Sequence, residues 1–367
     1  MVRDPLSVVV IGSGVAGAST AFDLARGGAR VTVVDADLVG TATNAGAGII
    51  QPWSGTTTGA FYDLYAQGAR YYPDLVRALA DLGEHETGYG RPGALVVNAD
   101  PAKLDAVAAR LAERIGSAPE MGDVSRLTAV ETRMHFPPLA EGLPGIHLTG
   151  GARVDGRLLR RALLAAARRL GAEVVEGRAR LEERGTGILV TVGDSPLAVD
   201  AVVLATGAWT PALLAGLGRP LALEPQRGQI THLRLDGVDT SGWPSVHPIA
   251  GNYLVAFDDS RVVAGATRET GSGFDPRVTA GGQRQVLEDA LALAPGLADA
   301  TLLETRVGLR PAAGRELPFV GALPGGDGVW VNAGFGAAGL TMGPVVGRLL
   351  ARRILGEAVP ELEPLAL

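Results

Sequence analysis

The chain has 367 residues, of which 47% are hydrophobic and 20% charged, and it carries a formal net charge of -6. This length suits two domains, the balance excludes disorder, and the acidic charge argues against a nucleic-acid partner, which needs a basic face. With no cysteine there is no disulfide, no thiolate nucleophile and no cysteine-linked cofactor, no metal centre is expected, and the only lysine, Lys103, lies in a charged helical stretch unsuited to Schiff-base chemistry.

An apolar strand over 8–11 feeds the turn Gly12-Ser13-Gly14-Val15-Ala16-Gly17, a helix runs on to Arg26, and a second strand over 31–34 ends at Asp35. This is a device for holding a dinucleotide. Gly12 permits the tight turn, Gly14 lets backbone approach a pyrophosphate, Gly17 allows helix and strand to pack closely, and Asp35 accepts from ribose hydroxyls. Residues 6–22 carry no charge and could pass for a secretory segment or a membrane span. Their glycines and the strand before them favour the nucleotide turn, so no transmembrane segment and a cytoplasmic location are expected.

The small, neutral stretch 43–52 reads either as a loop or as backbone lying against a flat ring. A helix follows over 61–82 with Leu64, Leu75 and Leu79 on one face, then a strand over 95–97 and an amphipathic helix over 101–115. A winding connection occupies 127–150, a helix 158–170, and strands 173–176, 187–192 and 198–204, the last ending in Ala205-Thr206-Gly207-Ala208-Trp209. Residues 220–235 and 253–267 read as strands of an antiparallel sheet beside a helix over 283–293. The chain closes with a strand over 329–332, a glycine unit over 334–339 and an apolar helix over 341–355. The class is α/β: a Rossmann-like domain over 1–85, 148–220 and 304–367, and an α+β substrate domain on an antiparallel sheet over 86–147 and 221–303.

The N-terminal pattern extends through Ala21, Leu24, Gly28 and Val31, and it resembles the fingerprint of flavin enzymes that bind the adenine half of FAD at the chain start. Taken with 43–52, Pro225-Gln226-Arg227-Gly228-Gln229, Gly308-Leu309-Arg310-Pro311 and 334–339, the chain resembles the D-amino acid oxidase superfamily, in the branch of glycine oxidase and sarcosine oxidase. The resemblance implies FAD, held without a covalent bond, because no histidine lies in 43–48 and no cysteine exists. It places Gly12, Gly14, Val15, Ala16 and Gly17 under the pyrophosphate, Asp35 and Ala36 at the ribose, and Val175 at adenine. Thr43, Asn44, Ala45, Ala47, Gly48 and Ile49 would run along the isoalloxazine. Ala205, Thr206, Gly207, Trp209 and Gly308 would contact the flavin as well. The helix start at Gly334, Gly336, Ala337, Ala338, Gly339, Leu340 and Thr341 would face its pyrimidine end, where a positive helix terminus stabilises the charge gained on reduction.

For substrate, the resemblance assigns Arg310 to a carboxylate through paired hydrogen bonds, with a structural arginine as the alternative and Arg306 or Arg315 as possible stand-ins. Tyr253 falls where the family sets a tyrosine over the pocket, and ordinary strand packing is its alternative. His247, Gln51 and Trp53 are further candidates for lining the cavity. No general base is evident. The strand 261–265 lacks the lysine with which sarcosine oxidases promote reaction with oxygen, which leaves oxygen or another electron acceptor open. Ala337 stands where glycine oxidase has a second arginine, so a second acidic group on the substrate loses an obvious partner. The expected reaction is hydride transfer from the C–N carbon of a small amine or amino acid (glycine, a D-amino acid, sarcosine or proline) to flavin, followed by hydrolysis of the imino acid. A 2-hydroxy acid substrate, an NAD(P)-linked dehydrogenase using only the N-terminal turn and a non-catalytic flavin protein are the alternatives. Oligomeric state is left open.

Overall fold

The computed structural model describes residues 4–184, 187–197, 199–326 and 328–367. A six-stranded sheet runs in the order Phe319–Ala322, Val329–Ala333, Ala201–Leu204, Ser7–Ile11, Arg30–Asp35, Glu173–Glu176. All neighbours pair in parallel except Phe319–Ala322 at the edge. Val8, Val9 and Val10 are each at most 1% exposed, and such unbroken burial on both faces is why the first strand reads as a continuous apolar run. Ala198, the first residue of the strand expected over 198–204, lies outside the described residues.

The helices Val15–Arg26, Gly156–Arg169 and Gly339–Ile354 pack on this sheet, and their buried faces belong to one hydrophobic core. Parallel strands force crossovers, so the loops that leave their carboxyl ends collect along one edge, where ligands bind in open α/β sheets. Among the described residues no helix is long and apolar enough to cross a membrane.

An eight-stranded sheet follows the order Thr301–Ala313, Leu223–Arg234, Arg261–Gly265, Tyr253–Ala256, Ser245–Pro248, Ala94–Val97, Gly145–Leu148, Val124–Leu127. It is antiparallel apart from the pair Ser245–Pro248 with Ala94–Val97. The long ladder between Leu223–Arg234 and Thr301–Ala313 runs from Leu223 opposite Ala313 to Arg234 opposite Thr301. The division expected at residue 304 therefore falls inside a single hydrogen-bonded strand. Arg310 sits within this ladder, opposite Gln226, and its neighbour Leu309 donates its N–H to the Gly40 carbonyl in the loop after Arg30–Asp35.

Two other expectations need correction. The strand expected over 253–267 is a hairpin of Tyr253–Ala256 and Arg261–Gly265, because Asp258-Asp259-Ser260 turns the chain, with Ser260 at φ 59°. Within the winding connection, the helix Ala129–His135 starts on a capping box in which the N–H of Glu131 donates to Thr128 Oγ1 and the N–H of Thr128 donates to the Glu131 carboxylate.

Candidate cofactor and substrate site

A cavity of about 720 Å³ opens at the carboxyl ends of the parallel strands and continues to the antiparallel sheet. Its first wall is the glycine turn. Gly12 adopts φ +96°, and a Cβ there would come within 2.5 Å of the Ala205 carbonyl oxygen, so the loops after the first strand and after Ala201–Leu204 meet in direct backbone contact. Gly17 presses on Gly12, where a Cβ would lie 2.0 Å from its carbonyl oxygen; Gly17 thus packs the helix against the turn without lining the cavity. The first-turn N–H groups of Val15–Arg26 have no intrahelical partners, and Thr43 Oγ1 takes that of Val15 at 2.9 Å.

Asp35 lines the same cavity with its carboxylate already oriented. Ser13 donates to Oδ2 through both N–H and hydroxyl, and the Asp37 N–H donates to Oδ1 at 2.8 Å, which leaves lone pairs for a ribose. Ser13 is itself held by Arg160, whose Nε donates to its carbonyl oxygen at 2.9 Å. Sequence reasoning passed over Arg160 because only the packing of Gly156–Arg169 brings it to the turn.

Of the other residues expected at the cofactor, Gly14, Val15, Ala16, Ala36, Thr43, Ala45, Ala47, Gly48, Ile49, Ala205, Thr206, Gly207, Trp209, Gly308, Gly336, Ala337, Gly339 and Leu340 line the cavity. Asn44, Val175, Gly334, Ala338 and Thr341 do not line it. The Asn44 carbonyl accepts from Arg157 Nε at 3.0 Å, and Thr341 Oγ1 donates to the Ile49 carbonyl at 3.0 Å, tying the last helix to the 43–49 segment. Val175 sits in an edge strand, and the residues after it, Gly177, Arg178 and Ala179, form the wall instead.

At the other end Arg310 lines the cavity beside Gly228. Arg310 Nη1 donates to the carbonyl oxygens of Thr267 at 3.0 Å and Arg227 at 3.4 Å, and among the described residues it has no carboxylate partner. Burial pulls its pKa below the usual arginine value, yet a guanidinium stays charged at neutral pH. A half-buried cation bonded only to carbonyls is a ready partner for an anion entering the cavity. The two stand-ins are occupied elsewhere: Arg306 pairs with Glu304, and Arg315 donates to the carbonyls of Leu317, Pro318, Leu365 and Ala366.

Tyr253 lines the cavity with its hydroxyl against Gly265, and burial, opposed by Arg310 and Arg268, raises its pKa so that it remains a donor. His247 also lines it, with Nε2 2.8 Å from Ser245 Oγ, and burial lowers its pKa to about 4. It is neutral at pH 7. Gln51 lines the cavity while Nε2 donates to Ser54 Oγ at 2.7 Å. Trp53 is a core residue at 1% exposure and does not reach the site, because the chain turns it inward toward the helix Gly59–Ala80 and its cluster. Arg268 was not singled out in the sequence. Exposed at the cavity wall, it has no ion pair among the described residues and is a second cation beside Arg310.

Residues 7–353 match the family model described as FAD dependent oxidoreductase, DAO. The chain belongs to this family. An uncharacterized oxidoreductase of Bacillus subtilis (strain 168), YurR, is 48% identical over 354 residues, covering 96% of this chain and 95% of the relative. A glycine oxidase of Pseudomonas putida is 31% identical over 369 residues, with 97% and 96% covered. Among crystal structures, the iminodiacetate oxidase (IdaA) from Chelativorans sp. BNC1 superposes with a TM-score of 0.96 at 48% identity, covering 98% of each chain. Glycine oxidase from Geobacillus kaustophilus gives 0.87 at 28%, with 98% and 97% covered.

As in the family, the cofactor is FAD, and the donor set fits it: both glycine units and Asp35 line one cavity, which the NAD(P)-linked alternative leaves half unexplained. It is held without a covalent bond, since no cysteine exists and His247, the histidine at the wall, is bonded to Ser245. The chain is an FAD-dependent oxidoreductase.

Proposed function

We propose that the substrate is a small amino acid whose amine is carried on a carboxymethyl-type carbon, free or N-substituted, and that Arg310 holds its carboxylate. The observation that carries this reading is the Arg310 guanidinium, bonded to two carbonyls and to no carboxylate among the described residues, with Tyr253 and Arg268 on the same cavity wall. Glycine and iminodiacetate, the compounds named for the relatives, share an amine on such a carbon, and the 48% identity to the iminodiacetate oxidase favours an N-substituted amine.

Bound FAD supplies the two-electron oxidant. The chain's own residues choose what is presented to it. Asp35, on the cofactor's ribose side, is the only acidic side chain among the described lining residues, while Arg310 and Arg268 are cationic. This field disfavours an ammonium, so the amine enters neutral and no protein base is required. Tyr253 donates its hydroxyl toward the carboxylate, and the backbone bonds of Arg310 fix the distance of the substrate carbon from the cofactor. The imine formed takes up water and releases an amine and an oxo acid.

Reoxidation by oxygen, as for the named oxidases, belongs to this proposal, and so does a cytoplasmic location, supported by the apolar start being a buried strand and helix. The test is an anaerobic visible spectrum of the holoenzyme with glycine, sarcosine, iminodiacetate, proline and D-alanine, then peroxide release in air. Bleaching by iminodiacetate or sarcosine ahead of D-alanine is expected; a flavin that none of the five bleaches refutes the reading.

A further inference from the structure

Glu269 sits one layer behind the cavity and contacts the residues that hold Arg310. Its backbone pairs with Arg227, N–H to carbonyl at 2.9 Å one way and 3.1 Å the other. Its Oε2 accepts from Arg227 Nη2 at 2.6 Å and Nε at 2.9 Å, and its Oε1 from Gln229 Nε2 and Thr267 Oγ1, both at 2.7 Å. Thr267 Oγ1 also accepts the Gln229 N–H at 2.9 Å. Arg227 and Thr267 are the residues whose carbonyls receive Arg310 Nη1. Gly228, on which the guanidinium rests, lies between two of the residues that Glu269 binds.

The network also sorts charge. Arg227 takes Glu269 and, through Nη1 at 2.8 Å, Asp275. Arg310 therefore keeps only carbonyl partners although a carboxylate lies one layer away. Glu269 already acts on Arg310 through space, and were it free to swing it would compete for that guanidinium and the cavity would lose its anion site.

We propose that Glu269 is a positioning residue for carboxylate binding: it clamps 227–229 to 267–269 so that two carbonyls aim Arg310 into the cavity, and it is itself consumed by Arg227. The identity of the bound carboxylate as an amino acid rests on the proposed function above; the clamp does not. Coulomb's law and the clamp give opposite signs. Removing a nearby negative charge strengthens carboxylate binding if charge alone acts, whereas loss of the clamp weakens it.

The experiment titrates holoenzyme with acetate, followed by flavin absorbance, in wild type, Glu269→Gln and Thr267→Val. The second variant cuts the Thr267 Oγ1 bonds without changing charge. Acetate should bind about tenfold more weakly in both, the loss of a hydrogen bond to a charged group. With the best amine of the panel, KM should rise more than kcat falls, and the pH profile of kcat should stay in place. Glu269→Gln binding acetate as well as or better than wild type overturns the proposal, and so does an unaltered affinity in folded Thr267→Val. Wild type that binds acetate but is bleached by no amine refutes the substrate reading instead and leaves the acetate comparison decisive for the clamp.

Discussion

The guanidinium of Arg310 lies over the backbone of Gly228, where a Cβ would come within 2.4 Å of both Nη atoms. The two strands face each other with Gln226 opposite Arg310 and Gly228 opposite Gly308, so the side chain folds back along its partner strand by two residues. Only a missing side chain at 228 leaves that path open. In Gly228→Ala the strand ladder should survive, since alanine is tolerated there by the backbone, but Arg310 must move. KM for the amine should rise about tenfold or more, equivalent to ~1.4 kcal/mol, with melting temperature little changed.

Arg310→Leu goes further. Loss of the cation should lower kcat/KM by ~2–5 kcal/mol equivalent, the usual cost of removing one partner from a buried charge pair. Steady-state kinetics with iminodiacetate or sarcosine reads this directly, and unchanged kcat/KM would remove Arg310 from the substrate site. Arg268→Leu, at an exposed position, should cost less.

Arg160→Ala tests the cofactor end. Arg160 holds Ser13, and Ser13 holds Asp35, so its loss should loosen the ribose contact without touching substrate. We expect the dissociation constant for FAD, measured by fluorescence titration of apoprotein, to rise several-fold, about 1 kcal/mol, because the three partly exposed hydrogen bonds from Arg160 act on the cofactor only through Ser13. Kinetics at saturating FAD should be near wild type.

His232 gives a stability prediction. It is 1% exposed, its Nδ1 lies 3.0 Å from Arg261 Nη1, and burial with the charges of Arg306 and Arg261 lowers its pKa to about 3. An unfolded histidine titrates near ~6.5. Between those values the unfolded chain binds the proton and the folded chain does not, so this stabilisation is present above about pH 6.5 and is lost as pH falls toward 3. His232→Asn should flatten the drop in melting temperature between pH 7 and pH 5. An equally steep drop would show that other groups govern it.

His247, lowered to about 4, makes a separate claim about rate. It adds no ionisation between pH 5 and 8. His247→Gln should leave the shape of the kcat/KM profile over that range intact, and any ascending limb there should follow the substrate amine instead.

What could be read from the chain was what local geometry encodes. Gly12, Gly14 and Asp35 sit at spacings that a strand, a turn and a helix fix by themselves, and Gly308-Leu309-Arg310 marks a substrate strand through family likeness. Arg160, Arg268 and Glu269 carry no such local mark. Each acquires its role only when segments distant in sequence are packed together: Arg160 meets Ser13 across 147 positions and Glu269 meets Arg227 across 42. Trp53 failed for the converse reason, since a large apolar ring beside Pro52 fits a core as well as a pocket. The hairpin at Asp258 did carry a local mark, the polar run Asp258-Asp259-Ser260-Arg261 between two apolar strands, and reading 253–267 as one strand passed over it.

Strand Thr301–Ala313 brings these ends together. Gly308 packs on the 42–45 segment, the Leu309 N–H donates to the Gly40 carbonyl at 2.8 Å, and the next residue is Arg310. The contact with the 42–45 segment and the guanidinium proposed to hold the carboxylate are thus neighbours on one backbone. On the proposed function the strand would work as a ruler, setting the spacing between oxidant and carboxylate by covalent geometry rather than by closure of one lobe on another. On that reading, an exchange at Tyr253, His247 or Arg268, which line the same cavity from other segments, would change the substrate without altering the gauge.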